Sequence, residues 1–274
     1  MKKIILFNML VIALCFSSSY SMKKLLRRTR GTKRFFRKKW VVRGNGKHYN
    51  GGLEKNYGNS PLHKAVLEGD IKGIKKNDCY ILKINKIGQT AIHVALFGNY
   101  CYKRREKIVS VLLKLFKDYL IEKYNNNPSK YEKIKDAFLN AKMSFFKVGS
   151  KDTRDTALNI AISKGYLSIA HKLIDLGVDV TMVCDDGCQW SALHFSLLLN
   201  LKRNKAIVTK EVQCLACKIL EKIKHKKKLL KVINALVVVK SGKGEGKYNA
   251  LKLAKSKGYF FVVKKITKSY FDSF

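Results

Sequence analysis

The sequence predicts an all-α solenoid of stacked helix–turn–helix units behind an irregular basic N-terminal arm. Three observations predict it. Five segments share one residue order: SPLHKA at 60–65, TAIHVA at 90–95, TALNIA at 156–161, SALHFS at 191–196 and NALKLA at 249–254. Their third residues, Leu62, Ile92, Leu158, Leu193 and Leu251, are spaced by 30, 66, 35 and 58 positions. Two of those steps lie near 33 and one is twice 33, which marks a repeat array. After four of the segments comes a glycine (Gly69, Gly98, Gly165 or Gly258), and the third unit continues with Ile169, Leu173 and Ile174 at helical spacing.

The 274 residues are enough for a medium-sized array, and 46% hydrophobic content supplies a core. Lys and Arg number 57 against 19 Asp and Glu, a formal charge of +38. A field of that size favours polyanions: nucleic acid, anionic lipid or an acidic protein. The competing reading is that the charge confers solubility alone.

Residues 1–21 read as a signal peptide. Lys2 and Lys3 precede an apolar stretch from Ile4 to Phe16, and Ser19 and Ser21 offer small residues for cleavage. The stretch is short for a membrane span. Leu14 before Cys15 argues against a lipoprotein signal. Residues 22–43 carry eleven Lys/Arg and no acid, a charge that resists translocation, so an uncleaved anchor is the alternative to secretion. Residues 22–56 are expected to form a basic arm without packed structure. Arg27, Arg28, Arg30, Lys33, Arg34, Arg37, Lys38 and Lys39 interleave there with Phe35, Phe36 and Trp40, a pattern suited to nucleic bases or a lipid surface.

Units are expected near 57–85, 87–116, 154–184, 187–222 and 247–268, within a domain spanning 57–270. Ser60, Thr90, Thr156 and Ser191 suit helix N-caps, where a hydroxyl satisfies a free backbone N–H. Ala65, Ala95 and Ala161 let a paired helix approach closely, and the glycines that follow are expected in left-handed conformation. Residues 117–150 hold no such segment; KYEKIKDAFLNA reads as a degenerate unit or inserted helix. Residues 211–233 read as helix, and 235–247 as a β-like finger with a turn.

These segments resemble the ankyrin repeat, whose hallmark is T-P-L-H-x-A at a spacing of about 33 residues. Ser60–Ala65 matches it almost completely. The second and fourth segments keep the histidine, the third and fifth lose it, and LIDLGVDV at 173–180 is similar to the family's second-helix ending. The resemblance implies that His63, His93 and His194 bond within and between units and are not catalytic. It implies a non-enzymatic module that binds an unidentified protein partner on a concave face of turns and first helices, with no cofactor and no small-molecule substrate. A secreted, Lys-rich member looks like an exported, host-directed effector of an intracellular parasite or symbiont.

Other chemistry is weakly signalled. SGKGEGK at 241–247 fails the phosphate-loop pattern, having Ser241 where Gly belongs and Tyr248 where Ser or Thr belongs. Cys184, Cys188, Cys214 and Cys217 permit zinc or a disulfide, but the separation of the two pairs favours plain thiols. Lys226, Lys227 and Lys228 form a basic run that is either a solvated helix face or a second polyanion contact.

Overall fold

Five pairs of helices are set down by the same local chemistry. The computed structural model describes residues 57–145, 153–184, 190–199, 205–241 and 244–271, all within one unit spanning Leu53–Phe274. The signal segment 1–21, the basic arm 22–56 with Arg27 through Lys39, and Cys188 lie outside the described residues.

The pairs are α1 (Pro61–Glu68) with α2 (Ile71–Lys76), α3 (Ala91–Phe97) with α4 (Tyr102–Tyr124), α6 (Ala157–Ser163) with α7 (Leu167–Asp175), α8 (Ala192–Leu198) with α9 (Lys205–Lys222), and α11 (Ala250–Ser256) with α12 (Phe260–Phe271). Every first helix starts after an N-cap in extended conformation: Ser60, Thr90, Thr156, Ser191 and Asn249. Pro61 adds a preset φ where no N–H is needed.

Two helices lie outside the pairs. α5 (Pro128–Leu139) follows the 23-residue α4, and α10 (Lys226–Asn234) follows the 18-residue α9. Each leads into a β-hairpin. β1 (Lys142–Phe145) runs antiparallel to β2 (Thr153–Thr156), Lys142 opposite Thr156. β3 (Val237–Ser241) runs antiparallel to β4 (Gly244–Tyr248), Val237 opposite Tyr248. The solenoid is therefore helical with two short hairpins added. Units two and four share one plan: a long outer helix, an added helix and a hairpin that opens the next unit.

α5 is fixed at its C-terminal end. Phe138 stacks on Phe116 of α4 with ring centroids 4.0 Å apart. Asn140, just past its end, accepts the backbone N–H of Asp179 at 2.8 Å and so holds the turn that closes the third unit.

One apolar core runs through the array from Leu62 to Ile266. Leu62, Ile92, Leu158 and Leu193 are at most 1% exposed. Leu251, expected to be buried like them, is only partly so: among the described residues no further helix pair follows α11 and α12 to cover it.

The expected glycine conformations need one correction. Gly69, Gly165 and Gly258 are left-handed, with φ of 72°, 75° and 69°. Gly98 is not, at φ −55°. The Tyr100 ring fills the space where a Cβ would stand, so Gly98 serves close approach, not handedness.

Candidate interaction surface

The three histidines of the repeat segments are spent inside the fold. The backbone N–H groups of Ser60, Thr90 and Ser191 donate to Nδ1 of His63, His93 and His194 at 3.2, 3.3 and 3.4 Å. The cap hydroxyls lie 2.7, 2.9 and 2.8 Å from the same nitrogens. With Nδ1 accepting, the proton sits on Nε2. From there His63 donates to the Gln89 carbonyl at 3.1 Å and His194 to the Ala235 carbonyl at 3.2 Å. Each bond ties a first helix to the segment that opens the next unit. His93 Nε2 faces the Ala141 and Asp155 carbonyls without a bond of hydrogen-bond geometry.

Burial sets the protonation of all three. Desolvation pushes His93 and His194 down to about 4 and lowers His63, against the opposing pull of the carbonyls they face. A neutral imidazole locked between an amide donor and a carbonyl acceptor is a structural clamp. Asn159 holds the same place in the third unit, where its amide is buried and makes no hydrogen bond. Lys252 takes it in the fifth, where its ammonium lies 4.7 Å from the Tyr248 ring centre.

The outer helices are joined by a different device, which the sequence reading did not anticipate. Glu106 of α4 pairs with Lys172 of α7 at 3.1 Å and also accepts from Ser168. Asp175 of α7 pairs with Lys218 of α9 at 2.7 Å. Glu221 of α9 pairs with Lys265 of α12. One acid thus bridges each successive pair of outer helices from the second unit to the fifth. The Ser168 and Lys172 bonds hold the Glu106 carboxyl below its ordinary range. Nothing in the sequence marks these acids out: α4 also carries Asp118 and Glu122, α9 also carries Glu211, and each partner sits on another helix.

Spending acids this way leaves unbalanced lysine at the surface. Lys226, Lys227 and Lys228 are exposed in the first turn of α10, where no acid accompanies them and His225 supplies no side-chain cap. Three cations there oppose the positive end of the helix dipole. A shallow cavity of about 580 Å³ between α2 and α4 is lined by Lys72, Lys103, Arg104 and Lys107, with Asp70 as its acid. Asp70 already accepts from Lys72 N. These basic clusters are not brought together into one site with α10.

Among the described residues Arg105 is a buried cation. It donates to the Ala95 and Gly98 carbonyls at 3.3 and 2.6 Å and lies 4.5 Å from the Tyr166 ring centre, a role in packing. Cys184 is buried; Cys214 and Cys217 lie on α9, exposed and half-buried. No group of three or more His, Cys, Asp or Glu side chains suited to a metal occurs among the described residues.

Val94 of α3 and Ile160 of α6 are buried, at 1% and 2% exposure, while Lys64 of α1 and Lys252 of α11 are exposed.

This geometry defines an α-solenoid of helix pairs in which a hydroxyl–histidine pair caps three of the first helices and ties two of them to the next unit, with β-hairpins between units. Within that class the fold is the ankyrin-repeat array. No family model matches the sequence, and no curated protein matches it. Solved structures similar to the chain include the ankyrin repeat protein EF0377, with 19% identity, a TM-score of 0.42, and coverage of 78% of this chain and 83% of that one. Another is an ankyrin repeat domain from Acinetobacter baumannii AYE, with 22% identity, a TM-score of 0.36, and coverage of 76% and 97%.

Proposed function

We propose that this chain is an exported, non-enzymatic interaction module that docks a protein partner along the hairpin side of the array, in the manner of a host-directed effector. The observation that carries the interaction reading is the use of its polar groups. The cap hydroxyls hold the histidines within their units, while His63, His194 and the outer-helix acids join neighbouring units, and what remains is an extended surface of the kind repeat arrays use to bind proteins. The apolar stretch 4–16 behind Lys2 and Lys3 supports export.

A photo-crosslinking residue at exposed Lys247 of β4, compared with one at exposed Lys114 of α4, tests the face. The expected result is a discrete protein adduct from position 247 that survives high salt and nuclease. Adducts from position 114 alone, or adducts lost on raising salt, overturn the docking reading. Recovery of a mature chain beginning at Met22 tests export; a full-length chain retaining residues 1–21 overturns it.

A second reading rests on the three lysines that open α10. An anion would offset both their mutual repulsion and their clash with the helix dipole. In that reading, binding to nucleic acid or to anionic membrane through this run and the arm residues 27–39 supplements the protein contact.

A further inference from the structure

We propose that the outward face of α12 is a peripheral docking surface for an anionic lipid bilayer. Phe260, Phe261 and Phe271 are 71%, 67% and 77% exposed, on a helix whose Val262 and Ile266 are fully buried. Exposed phenylalanines are costly to hydrate, and three on one short helix need an explanation. Helical spacing places Phe260, Lys264 and Phe271 within one narrow stripe, with Phe261 and Lys268 along its flank. Lys264 and Lys268 are exposed and make no ion pair among the described residues. The neighbouring Lys265 is already taken by Glu221. From Lys247 to Phe271 the sequence holds seven lysines and no acid, and Asp272 follows.

Interspersed phenylalanine and lysine on an exposed helix face fit the boundary between headgroups and acyl chains. The rings enter the apolar layer while the ammonium groups meet lipid phosphates and carboxylates. The face extends about 16 Å along the helix, at 1.5 Å per residue, and is convex. A flat bilayer suits that shape. Single-stranded nucleic acid favours a basic groove with aromatic platforms, whereas the Phe and Lys side chains of α12 lie on the outer face of a single helix. Among the described residues no helix is long and apolar enough to cross a membrane, so the contact is a surface one.

The test uses the full chain and vesicles of phosphatidylcholine alone or with one third phosphatidylserine. Phe261→Trp places a reporter on α12, read as its emission minus that of the wild-type chain. The expected result is a blue shift with the anionic vesicles that weakens as salt rises and is much smaller with phosphatidylcholine alone. Phe260→Ser with Phe271→Ser, in the Phe261→Trp background, is expected to cut the vesicle affinity read by that emission at least tenfold. Lys264→Gln with Lys268→Gln is expected to flatten its salt dependence. Far-ultraviolet circular dichroism and the melting temperature establish that each variant is folded. No blue shift with anionic vesicles overturns the proposal. So does a shift equal on both vesicle types, or one produced by single-stranded RNA in place of vesicles. The readout is confined to α12, so failure here leaves the hairpin-side partner reading untouched, and failure of that reading leaves this one standing.

Discussion

The imidazole of His194 donates to the carbonyl of Ala235, 3.2 Å away, across 41 positions of sequence that hold two helices. The same ring accepts the backbone N–H of Ser191. One neutral side chain thus closes the fourth unit and anchors the strand that opens the fifth. Any proton added to that ring must displace a donor already pointing at Nδ1.

That geometry predicts acid sensitivity. His93 and His194 are pushed down to about 4 from an ordinary 6.5, so the unfolded chain binds more protons between those values. Stability is complete above about pH 6.5 and falls as pH drops toward 4, by up to about 1.4 kcal/mol per pH unit for each histidine. The depressed Glu106 carboxyl acts in the same direction at lower pH. Urea midpoints from pH 7.5 to 4.5 should trace the loss, and His194→Asn should shallow its slope.

Core position decides the cost of truncation. Leu158 is 1% exposed, so Leu158→Ala should cost about 2–5 kcal/mol. Leu251 holds the equivalent place but is only partly buried, so Leu251→Ala should cost clearly less. Chemical denaturation of both variants checks the difference; equal losses would show that the fifth unit is covered after all.

Asn159 offers a stabilising change. Its amide is buried without a hydrogen bond, and leucine has the same branched shape. Asn159→Leu removes both unmet polar atoms and should raise stability by about 1–2 kcal/mol. A drop in melting temperature would mean that the amide is satisfied in solution.

Lys226, Lys227 and Lys228 sit against the helix dipole of α10. Changing all three to Gln should weaken capture on heparin or RNA and reduce its salt dependence. The melting temperature should hold or rise slightly. Wild-type capture at every salt concentration would reduce the run to a solvated face.

The sequence was most legible where function is local. Ser60 with His63, Thr90 with His93 and Ser191 with His194 are three residues apart, so one turn of helix brings cap and ring together, and the pattern shows in the string. Helicity at 128–139 was visible too, but not its docking: the Phe116–Phe138 stack depends on contact across a loop. The Glu106–Lys172, Asp175–Lys218 and Glu221–Lys265 pairs were invisible, because each partner lies more than 40 positions away. Gly98 misled because its neighbour Tyr100, two residues on, folds back over it. Exposure of Phe260 and Phe261 could not be read either, since an FFVV run looks like core until its neighbours are placed.

The recurrence of a long outer helix, an added helix and a hairpin in units two and four gives the array a coarser grain than its 33-residue period. From Thr90 to Ser191 is about 100 residues, one such plan followed by a plain unit, and Ser191 begins the plan again. Cooperativity should follow that grain. Severing the chain within 146–152 would separate α5 from the 177–180 turn that Asn140 holds, leaving two fragments each with an open side. Severing it within 185–189 would fall between blocks. Lengthening or shortening such an array is therefore best done two units at a time, and amide exchange should release protection in the same pairs.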